Sequence, residues 1–264
     1  MRWREANGVL WLEARLPDAT AVFSSRQGGA SEAPFDSLNL GVLTDDERDL
    51  VVENRRRLAA SLGFAPERVA IGRQVHAAEL ATHVGPQRPS FFAQPGDGIP
   101  AVDGHVTAEP LLPLLVFVAD CVPIALSGPG GVAMLHCGWR GLASSGRSSR
   151  RIAEGNATSG LVGRGVEAIG ATSAAIGPSI GPCCYEVGED VLDAFAGLGD
   201  GVAAGRMLDL PEVARRQLRE AGVERIESAG LCTSCEPELF FSHRRDAGRT
   251  GRQAGLVWRA EEVA

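Results

Sequence analysis

Apolar residues run without interruption from Leu114 to Ala119 and again from Val132 to Leu135. Each run is short and bounded by Pro, Gly or Asp, which predicts two buried strands. The surrounding apolar stretch, Leu111 to Leu126, is broken by Pro113, Asp120 and Pro123 and falls short of the ~20 residues that span a bilayer. Further strands are predicted at Val9–Leu16, Ala21–Ser24, Val69–Gly72, Ala101–Thr107, Glu167–Ile176 and Arg225–Ser228. Helical spacing predicts helices at Glu47–Leu62, with Asp45 and Asp46 at the positive end, at Val187–Phe195 and at Pro211–Ala221. Strands and helices mix without strict alternation, so an α+β or layered α/β fold is expected. The Ser/Gly-rich stretch Ser144–Ser149 is expected to lie in a poor helix. No short-period repeat or long linker divides the chain, and a single domain over residues 1–264 is expected.

The two buried strands deliver Asp120-Cys121 and His136 to their ends. Together with His76 of Gln74-Val75-His76, these supply imidazole, thiolate and imidazole, a donor set that suits zinc with a fourth position open for water. Spacing alone does not gather them; the competing view makes His76 a surface residue and Cys121 a small buried one. A second constellation is Ile176-Gly177-Pro178-Ser179-Ile180-Gly181-Pro182-Cys183-Cys184-Tyr185. Its Gly-Pro steps force tight turns, and its adjacent thiols read as a rigid turn with packed cysteines or as thiols activated at a helix start. A third is Cys232-Thr233-Ser234-Cys235, a lone C-x-x-C without a second pair of that spacing, followed by His243-Arg244-Arg245-Asp246. The two guanidiniums there are candidates to grip a phosphate, or else a solvated charge cluster. Near the N-terminus Arg26 precedes Gly28-Gly29, whose N–H groups can approach an anion, and Arg140 follows the His136 strand in the same sense.

Composition narrows the chemistry. All 26 positive residues are Arg, which removes Walker A and pyridoxal chemistry, both of which need a Lys. With 5 His in the chain, a three-copper centre plus a blue-copper site lacks imidazoles, so zinc is favoured over copper. A net charge of −7 argues against nucleic acid or an acidic membrane as partner. The start Met1-Arg2-Trp3-Arg4-Glu5 has no apolar signal core, so a cytoplasmic location is expected, where the 6 Cys stay reduced.

Taken in order, the motifs SRQGGAS, SLNLG, ENRRRL, QVHAAEL, VDGHVT, ADCVPI, LHCGWRG, IGPSIGPCCYEVG, CTSC, FFSHRRD and TGRQAGLVW resemble the YfiH-like purine nucleoside phosphorylase family. That family has long been labelled laccase-domain or polyphenol oxidase proteins. The resemblance runs from about Phe23 to Trp258. It implies a layered α-β-β-α sandwich with mixed sheets, related to the catalytic fold of cytotoxic necrotizing factor. It also implies a zinc ion on His76, Cys121 and His136, and phosphorolysis of adenosine, guanosine, inosine or methylthioadenosine with adenosine deamination as a second activity. The implied partners are a purine nucleoside and phosphate, with the chain a monomer or homodimer. Asp120 is the candidate proton relay or orienting residue, and Arg26, Asn39, Arg140, Arg244 and Arg245 are the candidates for phosphate or ribose. Cys137 and His105 depart from the family's usual residues, and Cys137 places a second thiol beside a presumed ligand. Three other functions are weighed. One is an amidohydrolase editing peptidoglycan precursors, another a thiol hydrolase with Cys121 as nucleophile and His136 as base, and the last a non-catalytic binding partner.

Overall fold

The computed structural model describes residues 1–143 and 160–261, so Ser144–Ser149 lies outside the described residues. In chain order the first strands are β1 (Arg2–Ala6), β2 (Val9–Leu16) and β3 (Ala19–Ser24). Helix α1 (Arg48–Ser61) precedes β4 (Leu80–Thr82), β5 (Gly104–Thr107), β6 (Leu114–Val118), β7 (Val122–Gly128) and β8 (Gly131–Cys137). Then come α2 (Trp139–Ala143), α3 (Leu161–Ile169), β9 (Ser173–Ile176), α4 (Glu189–Phe195), β10 (Ala203–Ala204) and β11 (Met207–Leu208). Helix α5 (Leu210–Glu220), β12 (Arg225–Ser228) and β13 (Gln253–Arg259) close the described chain.

One sheet is antiparallel in the order β1-β2-β3-β13-β6. The other is mixed, in the order β12-β9-β7-β8-β5-β4, with parallel pairs at both edges. Side-chain alternation places these sheets face to face. Along β8, Val132 and Met134 meet Phe23, Leu114 and Val116 of the first sheet. Ala133, Leu135 and Cys137 turn to the opposite face, where α3, α4 and α5 cover them with Leu161, Val166, Phe195 and Leu218. On the far side of the first sheet, Val22, Leu115 and Leu256 pack under Leu58 and Ala59 of α1. The result is helix, sheet, sheet, helix, an α+β architecture as expected. No helix among the described residues is long and apolar enough to cross a membrane.

The predicted elements match closely where periodicity was strong, as at β2, β12, α1 and α5. The predicted strand Glu167–Ile176 is corrected. Its first part is the end of α3, which Gly170 terminates in the left-handed conformation (φ 60°), and the strand itself begins at Ser173. Val69–Gly72 also departs from expectation, forming a single bridge from Ala70 to Leu114. Beyond it the Gln87 side chain accepts from the Ile71 N–H at 2.9 Å and donates to the Ile71 carbonyl at 2.8 Å, occupying the place of a neighbouring strand.

Phe23 is 1% exposed between the sheets. Phe23→Ala is expected to cost about 3–5 kcal/mol of stability, because the cavity left behind lies between two hydrogen-bonded layers that cannot close on it. Urea unfolding measures this; a loss below about 1 kcal/mol would mean that the layers do not depend on this ring.

Candidate active site

Strands β7 and β8 pair so that Pro123 lies opposite His136. Cys121 stands just before β7 and packs with the core between the sheets, and His136 continues the inward-facing row of Val132 and Met134. Both side chains thus reach the same end of the sandwich on the same face. Cys137, one residue on, faces the helical layer, so the thiol beside the presumed ligand points away from the site.

His76 comes from a different loop and is drawn in by Asp103. The Asp103 carboxylate accepts from the backbone N–H groups of Val75 (3.1 Å), His76 (2.9 Å) and Ala77 (2.8 Å), and from His136 Nδ1 (2.8 Å). Burial alone would raise the Asp103 pKa, but these bonds, that of His136 foremost, hold it below the ordinary carboxylate range. The bond to Nδ1 leaves Nε2 of His136 as the free donor atom. His76 Nε2 lies 3.7 Å from Cys121 Sγ, and the donor atoms of His76, Cys121 and His136 all fall within 4.8 Å of one another. A tetrahedral zinc with bonds of about 2.3 Å to sulfur and about 2.1 Å to nitrogen separates such atoms by roughly 3.6 Å. The fit is helped by Gly138, where a Cβ would meet His76 Cδ2 at 2.8 Å and Cys121 Sγ at 3.3 Å.

The cluster opens into a cavity of about 880 Å³. Of the residues singled out in the sequence, Arg140, Arg244 and Asp120 line it. The Asp120 carboxylate accepts from Thr233 Oγ1 at 2.6 Å and from the Arg244 N–H at 2.7 Å, which makes it a holder of the neighbouring loops. Arg26, Asn39 and Arg245 do not line the cavity. Arg26 donates to the Asp36 carboxylate and to the carbonyls of Asp36 and Pro237, with its guanidinium over the Phe241 ring. Arg245 is held by Asp246 and by the carbonyls of Thr233 and Phe240. Asn39 is buried, donates to Thr44 and Asp46, and accepts from the Arg252 N–H at 2.8 Å. In their place Arg48, Arg55, Arg73 and Arg252 face the cavity, with Phe117, Trp139 and Tyr185 as aromatic walls. The sequence reading missed these arginines and Asp103, although VDGHVT contains Asp103 and ENRRRL contains Arg55. His105 stays out of the site: it is buried, bonds His83 at 3.0 Å, and burial followed by the His83 contact lowers its pKa to about 3.

In the protein without metal, burial pushes the Cys121 thiol up, but His136, and behind it His76, outweigh burial and bring it down to about 6. Labelling by iodoacetamide of metal-stripped protein, resolved residue by residue by mass spectrometry, is expected to show Cys121 reacting at a constant rate at neutral pH. The rate should fall only as the pH drops through about 6, where the thiolate takes up its proton. Cys137, raised by burial and then by its negative neighbours Cys121 and Asp103, should stay unlabelled. A Cys121 midpoint near the ordinary thiol value of about 8.5 would overturn this account.

The family model described as multi-copper polyphenol oxidoreductase laccase matches residues 20–260. A purine nucleoside phosphorylase of Deinococcus radiodurans is 40% identical, over 96% of this chain and 94% of its own. The purine nucleoside phosphorylase YlmD of Geobacillus stearothermophilus is 38% identical over 98% of this chain and 97% of its own. Its crystal structure superposes with a TM-score of 0.81 over 98% of both chains. The crystal structure of the hypothetical protein YfiH of Bacillus licheniformis superposes with a TM-score of 0.82 at 30% identity, over 97% of this chain and 98% of that one.

Proposed function

The chain belongs to the laccase-domain family of YfiH and YlmD proteins, and on that premise we propose that it is a zinc-dependent purine nucleoside phosphorylase with adenosine deamination as a second activity. The observation that carries the proposal is the joining of a His, Cys, His cluster to a cavity walled by arginines and aromatic rings. Phosphorolysis joins a phosphate oxygen to C1′ of the ribose while the glycosidic bond breaks and its electron pair leaves with the purine. Negative charge therefore has to be held on one side of the sugar and accepted on the other.

Arg140 and Arg244 suit the phosphate. Both are exposed at the cavity wall, and each is steadied by an aromatic face, Arg140 over Trp139 at 4.5 Å and Arg244 over Tyr185 at 5.0 Å. Arg244 also donates to the Glu186 carbonyl at 2.7 Å, which fixes its guanidinium for two-point contact with an anion. Phe117, Trp139 and Tyr185 line the same cavity and supply the aromatic surface that a purine base would pack against. Zinc, held by His76, Cys121 and His136, would supply Lewis acidity at this end of the cavity. Asp103 keeps His136 in the tautomer that presents Nε2 to it. The reaction needs neither nucleic acid nor membrane, and the reading places it in the cytoplasm.

The oxidase description of the family is less favoured. Of the five imidazoles, His83 and His105 bond each other and only His76 and His136 join the cluster, too few for a multi-copper centre. A second reading has its own observation: without metal, Cys121, His136 and Asp103 form a nucleophile, base and orienting carboxylate. That arrangement suits a thiol hydrolase, the chemistry that the implied kinship with the necrotizing factor domain suggests, and its candidate substrates are the peptidoglycan precursors of the alternative amidohydrolase reading.

Adenosine incubated with metal-quantified protein is expected to give adenine and ribose 1-phosphate only when phosphate is present, with inosine formed in its absence. Arg244→Ala should raise the KM for phosphate at least tenfold, and Cys121→Ala should abolish both activities. Survival of adenosine in both incubations, with turnover of a muropeptide amide instead, would replace the phosphorylase by the amidohydrolase. Asp103→Asn should weaken zinc about 10–100-fold, because the partner that orients His136 no longer carries charge; unchanged zinc affinity in a competition titration would refute that role.

A further inference from the structure

Four cysteines unused by the proposed reaction gather at one place on the surface. Cys183 and Cys184 lie in the turn after the second Gly-Pro step, and Cys232 and Cys235 in the C-x-x-C turn. A short parallel bridge joins the two segments: the Ser179 N–H donates to the Leu231 carbonyl at 3.3 Å, and the Thr233 N–H to the Ser179 carbonyl at 3.0 Å. Sulfur of Cys235 then stands 3.4 Å from Cys183 and 3.5 Å from Cys184, and all four sulfurs fall within 4.8 Å of one another.

Thiols that merely fill a core are buried, as Cys137 is, whereas Cys183 and Cys235 are exposed and Cys184 and Cys232 half-buried. A tetrahedron of sulfurs about 2.3 Å from a central zinc has edges of roughly 3.8 Å; the two closest pairs lie within a few tenths of an ångström of that length and no pair exceeds 4.8 Å. The backbone adds a donor suited to thiolates, since the Gly181 N–H points at Cys232 Sγ at 3.3 Å. Such bonds offset the negative charge that four thiolates concentrate.

We propose that Cys183, Cys184, Cys232 and Cys235 form a second zinc site, structural in role and separate from His76, Cys121 and His136. It closes all four tetrahedral positions with protein sulfur and leaves none for substrate. Its work is to clamp the loop that carries Tyr185 of the cavity wall to the loop whose Thr233 holds Asp120. Tyr185 directly follows Cys184. Thr233 directly follows Cys232, bonds Asp120 through its hydroxyl and accepts from Arg245 through its carbonyl. Asp120 in turn holds the Arg244 N–H. The sequence separates the two cysteine pairs widely, so spacing alone hides the set, and only the bridge at Ser179 and Cys232 brings it together.

Zinc counted by elemental analysis on the full chain, purified with reductant and without chelator, tests this independently of any nucleoside activity. About two zinc ions per chain are expected in the unsubstituted protein. About one is expected in a Cys232→Ser/Cys235→Ser variant, and about one in a His76→Ala/His136→Ala variant. If the cysteine variant does not fold, two measurements remain. Cobalt loaded into Cys121→Ser should retain the intense thiolate-to-cobalt charge-transfer bands of a tetrathiolate site. In the unsubstituted protein the four cysteines should resist alkylation until a chelator is added. A single zinc with the four cysteines freely alkylated, a disulfide among them under reductant, or iron in place of zinc would each overturn the assignment.

Discussion

A carboxylate in a protein interior is tolerated only where donors converge on it, and Asp103, with no exposed surface, meets this condition with three consecutive backbone N–H groups and an imidazole. The three N–H groups come from Val75, His76 and Ala77, and they converge because His76 adopts the left-handed conformation, with φ at 59°. That conformation disfavours a residue with a Cβ by roughly 1–2 kcal/mol, a cost that the three bonds to the carboxylate offset. One buried charge therefore sets the position of two histidines. It turns the loop that presents His76 and fixes the ring of His136, while the Asp103 carbonyl accepts the His136 N–H at 2.7 Å. The placement of the donor cluster is in this sense a consequence of satisfying Asp103.

The opposite wall is suspended in the same way. Asp120 is also buried and left-handed, with φ at 91°, and its two carboxylate oxygens are taken by Thr233 and by the Arg244 backbone. Its carbonyl accepts the Ile180 N–H at 2.9 Å. It thus joins the end of β6 to both loops that carry cysteines or arginines. Cys121 follows it directly, so the thiol of the His76, Cys121 and His136 cluster is fixed by the residue that also holds the Arg244 backbone.

The layered fold was largely legible because buried strands and amphipathic helices leave their periods in the sequence, as at β2, β6 and α5. Legibility failed where a side chain replaced a strand neighbour, as Gln87 does at Ile71, and where α3 and β9 read as one apolar run around Gly170. At the site, residue chemistry offered His76, Cys121 and His136 as one possible donor set beside a plainer reading, and the motif resemblance, not their spacing, singled them out. Charged residues were harder to sort. Arg26 and Arg245 look like anion-gripping residues beside glycines and a second Arg, yet Asp36 and Asp246 occupy them. Arg55 looks like an exposed helix residue in a run of three arginines, yet it is 1% exposed. Which arginine in such a run turns inward depends on the rotation of α1 against the sheet, a tertiary fact that no local pattern records.

Arg55 also explains why this lysine-free chain suits its cavity. Its guanidinium is held by the carbonyls of Leu40, Phe91 and Phe92 and by the rings of Phe92 and Phe117, with no carboxylate among these partners. Carbonyl dipoles orient a guanidinium without cancelling its charge, so the field remains available to an anion in the cavity. Burial, and after it the nearby Arg48, lower the Arg55 pKa to about 9, which leaves it cationic at neutral pH. A lysine, whose ordinary pKa is lower, would be brought nearer to neutrality by the same burial. Arg252 is under the same pressure from burial, countered in part by the charges of Cys121 and Asp120. A protein of net charge −7 therefore gathers several arginines on the cavity that holds the His76, Cys121 and His136 cluster, and does so with the side chain whose charge best survives removal from water.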